Sequence, residues 1–282
     1  MAVIMKGAAV ASRMKEMLLA KAAELKSRDI MPTLGIMRVG SKEDDLTYER
    51  AIMKRFAPLG IGVDVHELSA DNSQEYFDSQ FMMMNDDPYL HGILLFRPLP
   101  KGLSDEYACL HINPKKDIDG MSPVNAARIF AGESEGFAPC TASAVMALLA
   151  GYGYDPAGQN VVIVGRSMVV GRPLAMLMLR ANATVTVCHT RTHNLPEICR
   201  RADIVIAAAG KAKMLTPEYF TRKSVVVDVG IDVDENGNLC GDVDFERVER
   251  TVQAVSPVPG GVGAVTTSIL AENLLKSAKM LG

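Results

Sequence analysis

Apolar and polar positions change period along this chain, and each change marks an element. The opening stretch, MAVIMKGAAVASRMKEML, interleaves Lys6, Arg13, Lys15 and Glu16 with apolar residues and reads as a short strand followed by an amphipathic helix. TLGIMRV (33–39) has the make-up of a strand, an amphipathic helix is expected over 46–59, and IGVDVHEL (61–68) reads as the next strand. A helix over 73–85 leads to HGILLF (91–96), a buried strand that Pro98 and Pro100 end abruptly. A second series begins at VVIV (161–164), which runs straight into Gly165. RPLAMLMLRAN, TVTVC, NLPEICRRA, DIVIAAAG and SVVVDVG then alternate helix and strand with short connections, ending on a strand. Such a β-α-β-α-β run predicts a nucleotide-binding, doubly wound parallel sheet, and the chain as a whole reads as α/β. Between the series, 114–143 is rich in Pro, Gly and polar residues and reads as a hinge. From Thr267 a last helix carries apolar residues at Ile269, Leu270, Leu274, Leu275 and Ala278.

Composition narrows the class. At 282 residues the chain is long enough for two domains, each with its own core. No apolar run approaches the roughly 18 residues of a membrane span. A net charge of −3 removes the electrostatic case for nucleic acid or an anionic membrane as partner. Cys109, Cys140, Cys188, Cys199 and Cys240 show no metal-ligand spacing. Their odd number, with no signal-like start, predicts reduced thiols and a cytoplasmic protein. His189 and His193 are four apart, but on an expected strand end and loop, so no metal site is expected.

GRSMVVGRP (165–173) lies between a buried strand and a helix. Gly165 suits a tight turn, and Gly171 lets the helix N-terminus approach a pyrophosphate, whose charge the backbone N–H groups and helix dipole would hold. Ser167 stands where the generic fingerprint has its second glycine, so the motif alone also fits an ordinary β-α turn. The end of the next strand sharpens the reading. An NAD site carries an acid there for the ribose hydroxyl. Here it reads CHTRT (188–192), with Thr190 and Arg191, while Arg166 lies in the preceding turn. Two guanidinium groups suit a 2′-phosphate, and therefore NADP.

GRSMVVGRP, CHTRT, DVGI (228–231), GDVDF (241–245) and PVPGGVGAVT (257–266) occur in the order found in the FolD-type family, the bifunctional methylenetetrahydrofolate dehydrogenase/methenyltetrahydrofolate cyclohydrolases, which the chain resembles over nearly its whole length. PKKDIDG (114–120) and PCTA (139–142) resemble the family's central motifs, and Tyr48 and Gly60-Ile61 keep its spacing. The resemblance implies two domains flanking a cleft: residues 1–138 with 264–282 binding folate, and 139–263 forming a Rossmann-type NADP domain. It implies a homodimer joined through the nucleotide domain. NADP would be held by Gly165, Arg166, Ser167, Gly171, Thr190, Arg191 and the backbone of Ile231. A tetrahydrofolate derivative would lie against Tyr48 and Phe96 and be anchored by Asp119, with Pro259, Gly260 and Gly261 closing over it; Tyr48 and Asp119 would be the catalytic pair. A carboxylate at Asp119 fits a pterin, which presents paired N–H donors.

Two positions depart from the family. It places a lysine four residues after its tyrosine, one helical turn on; here that position is Ile52. The family glutamine before PLP is Phe96, followed by Arg97. Hydride transfer needs mainly alignment, whereas opening the methenyl ring needs proton transfer. The expectation is an NADP-dependent dehydrogenase with weak or absent cyclohydrolase activity. A bifunctional enzyme using Arg97 or Lys54 and a non-catalytic folate- or NADP-binding protein are the alternatives.

Overall fold

The computed structural model describes residues 1–282. It divides into two compact units, one of Met1–Arg13, Ile129–Gly132 and Pro139–Thr266, the other of Met14–Arg128, Glu133–Ala138 and Thr267–Gly282.

The first unit is built on a six-stranded parallel sheet. Its strands are β1 (Val3–Ile4), β5 (Asn160–Val164), β6 (Thr184–Cys188), β7 (Ile204–Ala207), β8 (Val225–Asp228) and β11 (Ala254–Val255), in the order β1-β11-β8-β7-β5-β6. β5, β7 and β8 are almost wholly buried, as continuous apolar runs covered on both faces must be. Helices α6 (Cys140–Gly151), α7 (Gly171–Arg180), α8 (Leu195–Arg200) and α9 (Phe245–Val248) belong to this unit, with an antiparallel hairpin of β9 (Asp232–Val233) and β10 (Leu239–Cys240). A core of Val162, Val164, Val205, Val226, Leu215 and Phe220 fills one side of the sheet.

The second unit has a three-stranded parallel sheet, β3 (Gly62–Leu68), β2 (Thr33–Val39) and β4 (Gly92–Leu95), in the order β3-β2-β4. Helix α2 (Glu43–Phe56) follows β2, α3 (Gln74–Asp86) follows β3, and α4 (Glu106–His111) and α5 (Pro123–Ala131) come after β4. Ser73 caps α3, its hydroxyl accepting from the Tyr76 N–H at 3.2 Å. Phe77, Phe81, Met84, Met37 and Ile93 form the core on one face of this sheet. The two long helices, α1 (Gly7–Lys26) and α10 (Gly263–Leu281), each contribute residues to both units.

The chain is α/β with two parallel sheets, as its pattern predicts. The expected strands fall within two residues of those observed at each end of β2, β3, β4, β5 and β6. At the N-terminus, β1 pairs with β11 at the edge of the larger sheet, and Met1–Arg13 group with that sheet's unit. The 114–143 segment, read as a hinge, carries the chain between the two units from Arg128 to Pro139, with α5 inside it and Asp117 and Asn125 tying its irregular part down.

Candidate functional site

The smaller parallel sheet places three of the predicted residues at its C-terminal edge. α2 leaves β2 and carries Tyr48 in its second turn. Phe96 directly follows β4, and its ring lies 5.6 Å from that of Tyr48, tilted by 36°. Ile93 in β4 forms a parallel bridge with Asp117, so Asp119, two residues further, emerges at the same end as Phe96. Asp119 is half-buried before Gly120, whose φ of +64° makes the turn.

Beneath Asp119 is a carboxylate that sequence reasoning missed. Asp117 is 1 % exposed and accepts from the N–H groups of Met121 at 2.8 Å and Ser122 at 2.9 Å, and from the Asn125 amide at 2.8 Å. Asn273 of α10 holds the neighbouring Ile118 carbonyl at 2.8 Å. The KDIDG turn is thus fixed from both sides, and Asp117 is a structural acid beside the half-buried Asp119. α2 is held in a similar way. Arg38, 4 % exposed at the end of β2, donates to Glu49 of α2 at 3.0 Å, to Glu67 of β3 at 3.0 Å, and to the Gly40 carbonyl. Glu49 neighbours Tyr48, so the buried guanidinium sets where the tyrosine's turn sits.

Ile52, one turn after Tyr48, is fully buried, and Phe96 is 7 % exposed. Neither neighbour of Tyr48 presents a titratable group. Lys54 points from an exposed position of α2, and Arg97 is paired with Asp105 at 3.2 Å.

In the larger sheet, β5 ends in Gly165 at φ +139°, a conformation for glycine. A Cβ there would meet the Ala208 carbonyl oxygen at 2.0 Å, and one on Gly171 would meet the Gly165 oxygen at 2.2 Å. The turn therefore closes tightly against the first turn of α7, as a phosphate cradle of backbone N–H groups requires. Ser167 accepts from the Val170 N–H at 3.1 Å and shapes the turn, with Arg166 exposed beside it. At the end of β6, the His189 N–H donates to the Thr192 hydroxyl at 2.9 Å and the Arg191 N–H to His189 Nδ1 at 3.1 Å. This folds Thr190 and Arg191 into an exposed turn beside the β5 turn. Ile231, after β8, is 74 % exposed. The residues predicted for the cofactor thus all lie at the C-terminal ends of β5, β6 and β8, where doubly wound sheets bind ligands. Pro259, Gly260 and Gly261 follow β11 in this same unit, not in the one that carries Tyr48 and Asp119.

Residues 139–281 match the model of the tetrahydrofolate dehydrogenase/cyclohydrolase NAD(P)-binding domain, and residues 5–119 that of the catalytic domain. The chain belongs to the tetrahydrofolate dehydrogenase/cyclohydrolase family. It is 48 % identical over 279 residues to the bifunctional protein FolD of Clostridium botulinum, covering 99 % of both chains. The bifunctional FolD enzyme of Campylobacter jejuni superposes with a TM-score of 0.95 at 38 % identity, over 99 % of each chain. A Trypanosoma brucei methylenetetrahydrofolate dehydrogenase-cyclohydrolase, solved with NADP cofactor and an inhibitor, superposes at 0.93 with 35 % identity, over 99 % of this chain and 98 % of that one. The NAD(P)-binding match thus covers the larger sheet without β1, together with all of α10. No helix is long and apolar enough to cross a membrane.

Proposed function

We propose that this chain oxidises 5,10-methylenetetrahydrofolate to 5,10-methenyltetrahydrofolate with NADP, and hydrolyses the methenyl product weakly or not at all. The observation that carries the second half is the fully buried Ile52 one turn after Tyr48, with Phe96 closing the same corner. The dehydrogenase half is supported by family membership and by the relatives that carry the activity in their names.

In this reading Tyr48 and Phe96 hold the folate and Asp119 accepts the pterin's N–H donors, with Pro259, Gly260 and Gly261 as further substrate-binding residues. Gly165, Ser167 and Gly171 receive the pyrophosphate, Arg166, Thr190 and Arg191 the 2′-phosphate, and the Ile231 backbone the nicotinamide. Bound NADP would supply the hydride acceptor. The residues around the folate then need only align the methylene carbon, since the cation left on it is shared by two nitrogens. Opening that cation requires an added water and a moved proton, and a positioned acid–base group is worth about 10²–10⁴-fold there. Ile52 and Phe96 offer none. The family resemblance further supports a cytoplasmic homodimer joined through the nucleotide unit, which light scattering would measure.

The name shared by the bifunctional relatives favours the second reading, an enzyme with both activities. The test supplies methenyltetrahydrofolate to purified protein and follows its absorbance beside an NADP-reduction assay. Hydrolysis no faster than buffer, with NADP reduction intact, is expected. Hydrolysis at a rate comparable with the dehydrogenase would establish the bifunctional reading, and absence of both activities the non-catalytic one.

A further inference from the structure

The order of the larger sheet divides a dinucleotide between its two sides. β6, with Thr190 and Arg191 at its end, lies on one side of β5; β7 and β8 lie on the other. With the pyrophosphate at the Gly165 turn, the 2′-phosphate half falls over β6 and the nicotinamide half over the loops after β7 and β8.

Those loops are fastened from below by two buried carboxylates. Asp228 is 2 % exposed and Asp242 is 0 % exposed. Asp228 Oδ1 accepts from the Gly230 N–H at 3.0 Å and the Asp242 N–H at 3.1 Å, while Oδ2 accepts from the Val243 N–H at 2.8 Å. Asp242 Oδ2 accepts from the Ala209 N–H at 2.7 Å and Oδ1 from the Lys211 N–H at 2.6 Å. The Ser256 hydroxyl accepts from the Asp228 N–H at 2.8 Å, bringing the loop after β11 into the same network. The backbone closes in around these groups: a Cβ on Gly241 would meet Asp228 Oδ2 at 2.1 Å, and one on Gly230 the Asp242 nitrogen at 2.6 Å. Contact is continuous from the Gly165 turn to the Ala208 carbonyl, through Ala209 and Lys211 to Asp242, and through Asp228 to Gly230, beside Ile231.

We infer that Asp228 and Asp242 are positioning residues for the nicotinamide half of the cofactor, holding the 208–211 and 229–232 loops as one wall. The inference rests on the NADP reading above. A carboxylate suits the task because both oxygens accept; an amide of the same shape turns one acceptor into a donor facing an N–H. Burial pushes Asp228 up to about 7 and raises Asp242 as well, against the pull of the N–H donors, so both acids are held at a cost to ionisation. Neither carboxylate touches β6, so the 2′-phosphate half is independent of them.

The test measures binding of NADP and of adenosine 2′,5′-bisphosphate, which lacks the nicotinamide half, to wild type, Asp242→Asn and Ser256→Ala by calorimetry. In Asp242→Asn, the NADP dissociation constant should rise at least tenfold and that of the bisphosphate less than twofold, with hydride-transfer kcat falling too. Ser256→Ala, which removes the hydroxyl's two hydrogen bonds to the Asp228 backbone and keeps both carboxylates, should give about a threefold loss with the same split, and decides the matter if Asp242→Asn does not fold. Equal weakening of both ligands, or NADP binding unchanged, would overturn the inference. Wild type binding neither ligand would overturn the NADP reading itself, and the inference with it.

Discussion

The proposed loss of methenyl hydrolysis turns on single side chains. Ile52 and Phe96 are buried and apolar, Phe96 with its ring against Tyr48 and Ile52 one turn after it. Ile52→Lys alone should restore little methenyl hydrolysis, because a buried ammonium beside Phe96 has no partner and is pushed to its neutral form. Ile52→Lys with Phe96→Gln should raise the hydrolysis rate at least tenfold over Ile52→Lys, read from methenyl decay; equal rates would remove position 52 from the explanation. Arg191 is proposed to set cofactor specificity. It sits in an exposed turn at the end of β6, and a charged hydrogen bond to a phosphate is worth about 1.5–3 kcal/mol. Arg191→Ala should therefore lower kcat/KM for NADP at least tenfold and leave the value for NAD nearly unchanged. Asp119→Ala should cripple NADP reduction while the NADP dissociation constant stays within twofold. Turnover near wild type would remove Asp119 from the site.

At the scale of elements, α2 and the β9–β10 hairpin are each held by a charge. Arg38 anchors α2 through Glu49, whose side chain is 13 % exposed, whereas its pairing with Glu67, 62 % exposed, is screened by solvent and adds little. Arg38→Met leaves Glu49 with an uncompensated, nearly buried charge and should cost about 3–5 kcal/mol in urea unfolding. Adding Glu49→Gln should recover much of that loss; strict additivity of the two changes would refute the coupling. In the hairpin, Asp234 accepts from Lys213 at 2.9 Å and from the N–H groups of Asn236 and Asn238. The Lys213 hydrogen bond is the main cause that lowers its pKa from 3.8 to about 2. A depressed carboxyl contributes stability above its unfolded pKa and loses it as pH falls toward the folded one. Amide exchange in residues 232–240 should thus quicken between pH 4 and 2, after correction for intrinsic exchange. Asp234→Asn should abolish that acid step.

At the scale of the whole molecule, the chain's first residues complete a sheet whose other strands come from 160–255. β1 pairs in parallel with β11, the Met5 N–H donates to Val255 at 2.9 Å, and the Met5 side chain is fully buried. Met5→Ala should cost about 2–5 kcal/mol through the cavity it leaves, read as a shift in the urea midpoint. This pairing is not legible in the sequence. Two paired residues are too short to carry a periodic signal, and their partner strand lies some 250 positions away.

Local periodicity was enough for most of the rest. Runs such as TLGIMRV and VVIV are apolar because both faces of a central parallel strand are covered, so the sheets were readable before any contact was known. Gly165 was readable for a related reason: backbone conformation restricts the residue type at that place in the chain. The supports beneath the site were not. Arg38, Asp117, Asp228 and Asp242 look in sequence like any surface charge, since burial of such a group depends on partners that lie up to 33 residues away. Only the tertiary structure brings backbone N–H groups from separate loops around one carboxylate, because desolvation and its compensation are settled when the chain closes on itself.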